Sequence, residues 1–247
     1  RISEIRESIN ANTILLRDFD KADIELKELF LKEGFAAIDM PNSNIIEDMN
    51  WNTSEELLTP LSQKGRKGIR MEVFRHEDKF EVECKNTLTD EEIKWFYHLY
   101  GNVQKRNRAF NMFSYTEDIL KKLSKNSSWE FVVLKLKPEY DTRKERKAVA
   151  AIWCYVTDTH YSPMIIGLDY EYANQFKVYK QAIYQLLKRA RILGLSKVYL
   201  GLSADLEKRK FGARQQARVA YMQAKDNFNM EVVESMSVAN ITTEAIF

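Results

Sequence analysis

The sequence predicts an α+β (α/β) fold with a mixed central sheet flanked by helices, and three observations carry that expectation. From Ser128 onward the apolar period changes from near four to two, giving successive strand-like runs at 129–137, 147–157 and 163–172. The turns between them, 139–146 and 158–162, predict antiparallel hairpins. The third run, a long amphipathic stretch and Lys197-Val-Tyr-Leu-Gly201 together have the spacing of a βαβ crossover, whose two strands are parallel neighbours. Ligands of such sheets bind outside the carboxyl ends of the strands, which places a first candidate site at 169–179.

The elements follow in chain order. Residues 3–33 carry Ile5, Ile9, Ile24, Leu26, Leu29 and Phe30 among acids and bases and stop at Gly34, which predicts one or two helices. Residues 34–40 and 44–49 read as short strands around the turn Pro41-Asn-Ser43. Thr53-Ser-Glu-Glu56 supplies an N-cap and first-turn acids for a helix through Leu57, Leu58 and Leu61. A basic run follows, Lys64, Arg66, Lys67, Arg70 and Arg75, which on charge alone is a solvated helix face. Residues 78–84 alternate as a strand with Phe80, Val82 and Cys84 on one face.

Thr89-Asp-Glu-Glu92 starts a helix with Ile93, Trp95, Phe96, Leu99 and Tyr100 on its apolar side, and another is expected over 115–123. After the three strands, the helix at 174–193 carries Phe176, Tyr179, Ile183, Leu186, Leu187 and Ala190 and is closed by Gly194. A short helix at 204–211 stops at Gly212, residues 217–223 form a last strand, and the tail after Glu234 has no strong pattern.

Composition narrows the classes. The 247 residues, 45% hydrophobic and 12% aromatic, are enough for a sizeable core. Charge is nearly balanced, 38 Lys+Arg against 36 Asp+Glu, so the net charge gives no argument for a nucleic-acid surface. Cys84 and Cys154 sit in apolar or alternating runs and are expected to be buried and reduced. With only His76, His98 and His160, no spacing suits a metal. His76 and His98 read as structural or exposed. No apolar run can cross a bilayer and no signal peptide is present, so a cytoplasmic location without membrane contact is expected. The chain opens at Arg1, directly in charged helical sequence, and is expected to be a piece of a longer multidomain chain.

The order of three antiparallel strands, crossover helix, parallel strand, short helix and final strand resembles the GNAT acyltransferase fold. The local wording is more specific. Leu61-Ser-Gln-Lys-Gly-Arg66 with Ile69-Arg70, Tyr179-Lys-Gln-Ala-Ile-Tyr184 through Ala190 and Gly194, Tyr199-Leu-Gly201 and Lys208-Arg-Lys-Phe-Gly-Ala213 resemble the FemAB-like, or BioF2-like and CelD-like, branch of that superfamily. The resemblance covers about residues 53–228 and implies a GNAT-like acyltransferase domain at 53–235. Residues 1–52 would then be an N-terminal helical segment with short strands, the remnant of a preceding domain, and 236–247 a tail.

The branch implies N-acyl transfer from acetyl-CoA or a longer acyl-CoA, as co-substrate, to a small-molecule primary amine, with no metal. Fem-type enzymes use aminoacyl-tRNA instead, and only then is a nucleic acid a partner. A third reading is a catalytically silent module that binds a small molecule or protein. Amide formation needs a polarised carbonyl, a deprotonated amine and a protonated leaving thiolate. The resemblance puts a polarising backbone amide near Tyr170 and the coenzyme pyrophosphate at the helix start beyond it, around Asn174. No glycine occurs in Ala173-Asn-Gln-Phe-Lys-Val-Tyr179, so Lys177 and Lys180 are the residues that could supply charge there. Asp169, an acid at a strand end, is the candidate to orient or deprotonate the amine. Tyr179 and Tyr199 are candidates to protonate the leaving group or, with Tyr172, to position substrate. Lys208, with Lys210 as its competitor, matches a basic position of Fem-type enzymes. Arg66 and Arg70 match the Ser-x-Lys-x-Arg motif that would grip an anionic substrate.

Overall fold

The computed structural model describes residues 2–106 and 114–225 in two units, one built from 1–43 with 215–247 and the other from 44–214. In the first unit the expected helical stretch is interrupted by a strand: α1 (Ile2–Ser8), β1 (Thr13–Asp20) and α2 (Ile24–Lys32) follow one another. The physical reason is local. Asn10 takes a positive φ of 48° and ends the first helix, after which Thr13 and Ile14 are β-branched and Ile14 is buried. Asp23 caps α2, accepting from the Leu26 N–H at 3.0 Å.

Next, β2 (Ala36–Ile46) runs unbroken where two short strands around a turn at Pro41 were expected. In the same unit β1 pairs antiparallel with the last strand, β8 (Arg214–Ala224), and β8 lies beside β2. A small aromatic cluster joins these elements, with Phe30 stacked on Tyr221 at 4.3 Å and Phe19 5.4 Å from Phe30. The tail after Glu234 lies outside the described residues.

The second unit begins with the end of β2. The helix expected from Thr53 is reduced to a 3-10 turn, Glu56–Leu58, because Pro60 has no N–H to donate into a continuing helix. The helix proper starts one step later. Ser62 caps α3 (Gln63–Ile69), accepting from Gly65 N–H at 3.2 Å, and the helix continues through a π-turn, Arg70–Phe74, into the short α4 (Arg75–Glu77). Strand β3 (Phe80–Lys85) follows, then α5 (Asp90–Arg106) and α6 (Glu117–Leu123). At the start of α5 the capping box forms in full: Glu92 N–H donates to Thr89 Oγ1 at 3.2 Å and Thr89 N–H to Glu92 Oε2 at 3.0 Å.

The period-two runs become β4 (Trp129–Leu136), β5 (Ala148–Val156) and β6 (His160–Leu168), all antiparallel. After them come α7 (Tyr170–Ala173), α8 (Val178–Ile192), β7 (Lys197–Gly201) and α9 (Asp205–Arg209). The strand order in this unit is β2-β7-β6-β5-β4-β3, and β6–β7 is its parallel pair, so the sheet is mixed as the sequence implies. Alternation sorts the core into two layers. Phe131, Val133, Ala151 and Trp153 pack with Ile93, Phe96 and Leu99 of α5. Val132, Leu134, Ala150 and Ile152 pack with Val178, Ala182, Tyr184 and Leu187 of α8 and with Ile69 and Val73.

Cys154 is buried as expected, but Cys84 is exposed. Its strand is the outermost in this unit, and the Val82–Cys84 side of it is left uncovered. Among the described residues no helix is long and apolar enough to cross a membrane, and no cluster of three or more His, Cys, Asp or Glu side chains is placed to hold a metal ion.

Candidate active site

The site begins where β6 leaves β7. These strands pair only at His160↔Lys197 and Tyr161↔Val198. The next residue but one is Pro163, which has no N–H to give, and the register with β5 shifts between Trp153 and Cys154, leaving Met164 bulged on β6. Beyond that point the two strands diverge, with Leu168 and Asp169 at the end of one and Gly201 at the end of the other. The crevice expected at the carboxyl ends of a crossover is therefore an actual break in the ladder.

On the β6 side, Asp169 is 6% exposed and held by three bonds. Its N–H donates to Val149 O at 2.9 Å, Oδ1 accepts from Glu171 N–H at 3.1 Å to cap α7, and Oδ2 accepts from Arg143 Nη2 at 2.5 Å. Arg143 comes from the β4–β5 turn and lies over the Tyr172 ring at 4.7 Å. Burial works against its charge, but the Asp169 carboxylate holds the guanidinium above its ordinary pKa. Tyr172, buried, donates its hydroxyl to Asp141 Oδ1 at 2.9 Å and accepts from Arg143 N–H at 3.2 Å. Burial alone would raise Asp141; the Arg146 and Arg143 N–H groups and the Tyr172 hydroxyl outweigh it and hold the carboxyl below its usual range. The turn at 139–146 thus contributes Asp141 and Arg143, which its sequence marks only as a loop.

Between α7 and α8, Lys177 takes φ 53°, and no side chain caps the start of α8. Its first-turn amides carry the positive end of the helix dipole. Asn174 is exposed beside this point. Tyr170 is half-buried with Arg106 4.4 Å over its ring; burial raises its phenol and Arg106 opposes that shift. Tyr179, the second residue of α8, has its phenol held well above the ordinary value, first by burial and then by the nearby Glu207, Asp205 and Tyr170. Lys180 is committed to Glu72, on the π-turn, and to Glu207, at 3.2 Å. Those acids keep its ammonium above its ordinary pKa against the cost of burial.

On the β7 side, Gly201, Ser203 and Ala204 all have positive φ, 72°, 62° and 50°, and bring the chain sharply into α9. This turn tucks Lys208 under the strand end. Lys208 is 4% exposed, and its Nζ donates to Leu202 O at 2.6 Å and Gly201 O at 3.2 Å, with no carboxylate in ion-pair contact among the described residues. Burial pushes its pKa down to about 8, although Asp205 opposes the shift. Asn44, fully buried, donates to Asp205 Oδ1 at 2.7 Å and Gly201 O at 3.1 Å and braces the same turn.

The remaining candidates stand apart from this group. Tyr199 is turned toward the opposite end of β6, its ring edge-on to His160 at 5.0 Å. Arg66 donates to Leu61 O at 3.1 Å. Arg70 is exposed and engaged by Glu55, with Nη2 to Oε2 at 2.6 Å. Lys210 is exposed and paired with Glu207 at 2.7 Å. The structure therefore puts Asp169 and Tyr170 at the end of β6, Lys208 under the end of β7, and Tyr179 and Lys180 at the start of α8, both close to Glu207 of α9.

A family model for the acetyltransferase (GNAT) domain matches residues 63–209. Solved structures with a similar fold include L-PGS from Bacillus licheniformis, with a TM-score of 0.63, 13% identity and coverage of 96% of this chain and 77% of that one. FemX is similar with a TM-score of 0.63, 12% identity and coverage of 94% and 77%. The C-terminal domain (DUF2156) of a putative lysylphosphatidylglycerol synthetase from Agrobacterium fabrum gives 0.61, 11% identity and coverage of 95% and 75%. No curated protein matches. At such identities the likeness to these structures is one of fold.

Proposed function

Since the chain belongs to the acetyltransferase (GNAT) domain family, we propose that it moves an acyl group from an acyl-CoA thioester to a primary amine. The observation that carries the reading is the break between β6 and β7, with an uncapped helix start on one side and a buried lysine on the other. The amine, as the free base, attacks the thioester carbonyl, the C–N bond forms, the C–S bond breaks, the proton lost by the amine passes to solvent, and coenzyme A leaves as its thiolate.

Lys208 has three donor hydrogens as an ammonium and spends two on Gly201 and Leu202 carbonyls, so a third is available to a developing oxyanion. Tyr179, whose phenol keeps its proton across the neutral range, is suited to donate a hydrogen bond to the leaving thiolate. Both Asp169 oxygens are engaged, so we assign it a positioning role: it fixes α7, and through it Tyr170, against the strand end. The first amides of α8 would take the coenzyme's pyrophosphate.

Acetyl-CoA or a longer acyl-CoA is expected to raise the melting temperature, by about 3 kcal/mol of stabilisation at a hundredfold excess over Kd. A second reading, transfer from aminoacyl-tRNA, is favoured by one feature: the α8 start has no glycine, and Lys177 carries a side chain where a close backbone cradle for pyrophosphate would have none. Absence of any shift with acyl-CoA, together with binding of aminoacyl-tRNA, would select that donor. Should Asp169→Asn and Lys208→Ala both leave turnover of an identified substrate unchanged, the site assignment fails.

A further inference from the structure

Asp205 and Lys208 stand three residues apart on α9, the spacing at which an acid and a base on one helix face meet and pair. Here the Lys208 side chain leans toward the helix start and gives its ammonium to the Gly201 and Leu202 carbonyls. Asp205 Oδ1 instead accepts from Asn44 Nδ2, at 2.7 Å. The β2–β7 register shifts between Asn44 and Ile45, which sets Asn44 opposite Gly201 at the strand end. The second Asn44 amide hydrogen goes to Gly201 O at 3.1 Å, the same carbonyl that Lys208 uses at 3.2 Å.

Asn44 makes these two bonds against an opposing term. It is fully buried, and its Oδ1 meets no hydrogen-bond donor among the described residues. A bare acceptor in the interior destabilises, and a leucine here would avoid it, so the weight of Asn44 lies in the two bonds it donates. Turning the amide over would set its oxygen against two acceptors, which fixes its orientation. The other charges around α9 are already engaged: Glu207 holds Lys180 and Lys210 at 3.2 and 2.7 Å, Glu47 of β2 takes Lys197 and Arg214, and Arg209 is exposed. Tyr179 of α8 lies near Asp205 and Glu207 and keeps its proton. The placement of Asp205 therefore decides the surroundings of Lys208, whose pKa burial lowers and Asp205 opposes.

We propose that Asn44 is a positioning residue for Lys208: by holding the Asp205 carboxylate and the Gly201 carbonyl, it keeps an ion pair from closing on the ammonium and leaves the third ammonium hydrogen to the reacting carbonyl oxygen. The part that concerns the reaction deepens, and rests on, the reading of the protein as a transferase; the arrangement of the three side chains does not. Asn44 is buried and acts through Asp205 and Gly201. Without its amide, the Asp205 carboxylate turns to the base one turn further along α9, as the helix spacing favours.

The test is an NMR titration of the lysine side chains in the whole protein, with the Lys208 signal assigned by its loss in Lys208→Met. In the wild type Lys208 is expected to titrate at about 8, and a midpoint at its ordinary 10.5 or above overturns the proposal. In Asn44→Ser, too short to hold both acceptors, the midpoint is expected about 1–3 pH units higher, the effect of a carboxylate closing on an ammonium. Adding Asp205→Asn to that variant is expected to bring the midpoint back down. An unchanged midpoint in Asn44→Ser, or one that stays high in the double variant, overturns the proposal. Asp205→Asn alone covers the case in which Asn44→Ser does not fold, since its amide still offers Asn44 an acceptor. There the midpoint is expected to stay within about one unit of the wild type; a larger fall means that the carboxylate already neutralises Lys208 and also overturns the proposal. These titrations use no substrate, so they judge the arrangement whatever group the protein transfers. Where turnover is measured, the alkaline limb of kcat is expected to follow the midpoint in each variant; a midpoint that moves while the limb stays in place upholds the positioning of Lys208 and rejects its part in the reaction.

Discussion

A buried lysine held by two backbone carbonyls is the most informative single residue in this protein. Lys208 keeps its proton only up to about pH 8 in the folded chain, against its ordinary value of 10.5 when unfolded. Between those values the unfolded state binds more protons, so stability rises as pH rises from 8 toward 10.5 and is lower below 8. Denaturant titrations across that window should show the rise in the wild type and lose it in Lys208→Met. Activity is expected to move the other way: if the ammonium stabilises the oxyanion, kcat falls as pH passes about 8, and Lys208→Arg shifts that limb upward. The sequence marks Lys208 as a candidate but gives no sign of the carbonyls that receive it. Those depend on three turn residues of positive φ, Gly201, Ser203 and Ala204, two of them not glycine. Arg143 is harder still to foresee, because a charged residue in a turn takes on meaning only when the fold carries it to Asp169, 26 positions on.

Among elements, those whose signals are local were legible. The Thr89–Glu92 box closes on itself as written, and Thr89→Ala is expected to cost about 1 kcal/mol by chemical denaturation. The three period-two strands and the crossover appear with their partners as read. What was missed depends on distant packing. Strand β1 needs β8, about 200 residues later, to become a strand. The exposed Cys84 follows from β3 having a partner on one side only. Gly167 shows how tightly one such contact is drawn: a Cβ there would stand 2.7 Å from both Leu99 Cβ and the Tyr100 backbone N of α5. Since backbone cannot step aside, Gly167→Ala should destabilise by roughly 1–3 kcal/mol and lower the melting temperature.

At the scale of the whole molecule, the larger unit concentrates its buried residues in β4 and β5, which have helices on both faces and strands on both sides. Hydrogen exchange is expected to be slowest there, and fastest in α2 of the other unit, which has no buried residue. Comparable protection in α2 and β5 would contradict that ranking. The fold class and its mixed sheet were readable because alternation and crossover spacing recur over a hundred residues. The site was readable in outline, by its place at the strand ends. Its wiring was not, since Asn44, Glu72, and Asp141 with Arg143 join it from three separate stretches of chain.

The break between β6 and β7 is set by a proline and a bulged residue, not by the side chains that line it. Such an opening is carried by the main chain and persists when its lining is exchanged. A descendant of this protein could therefore change what the cleft accepts by altering the side chains that line it, without having to rebuild the cleft.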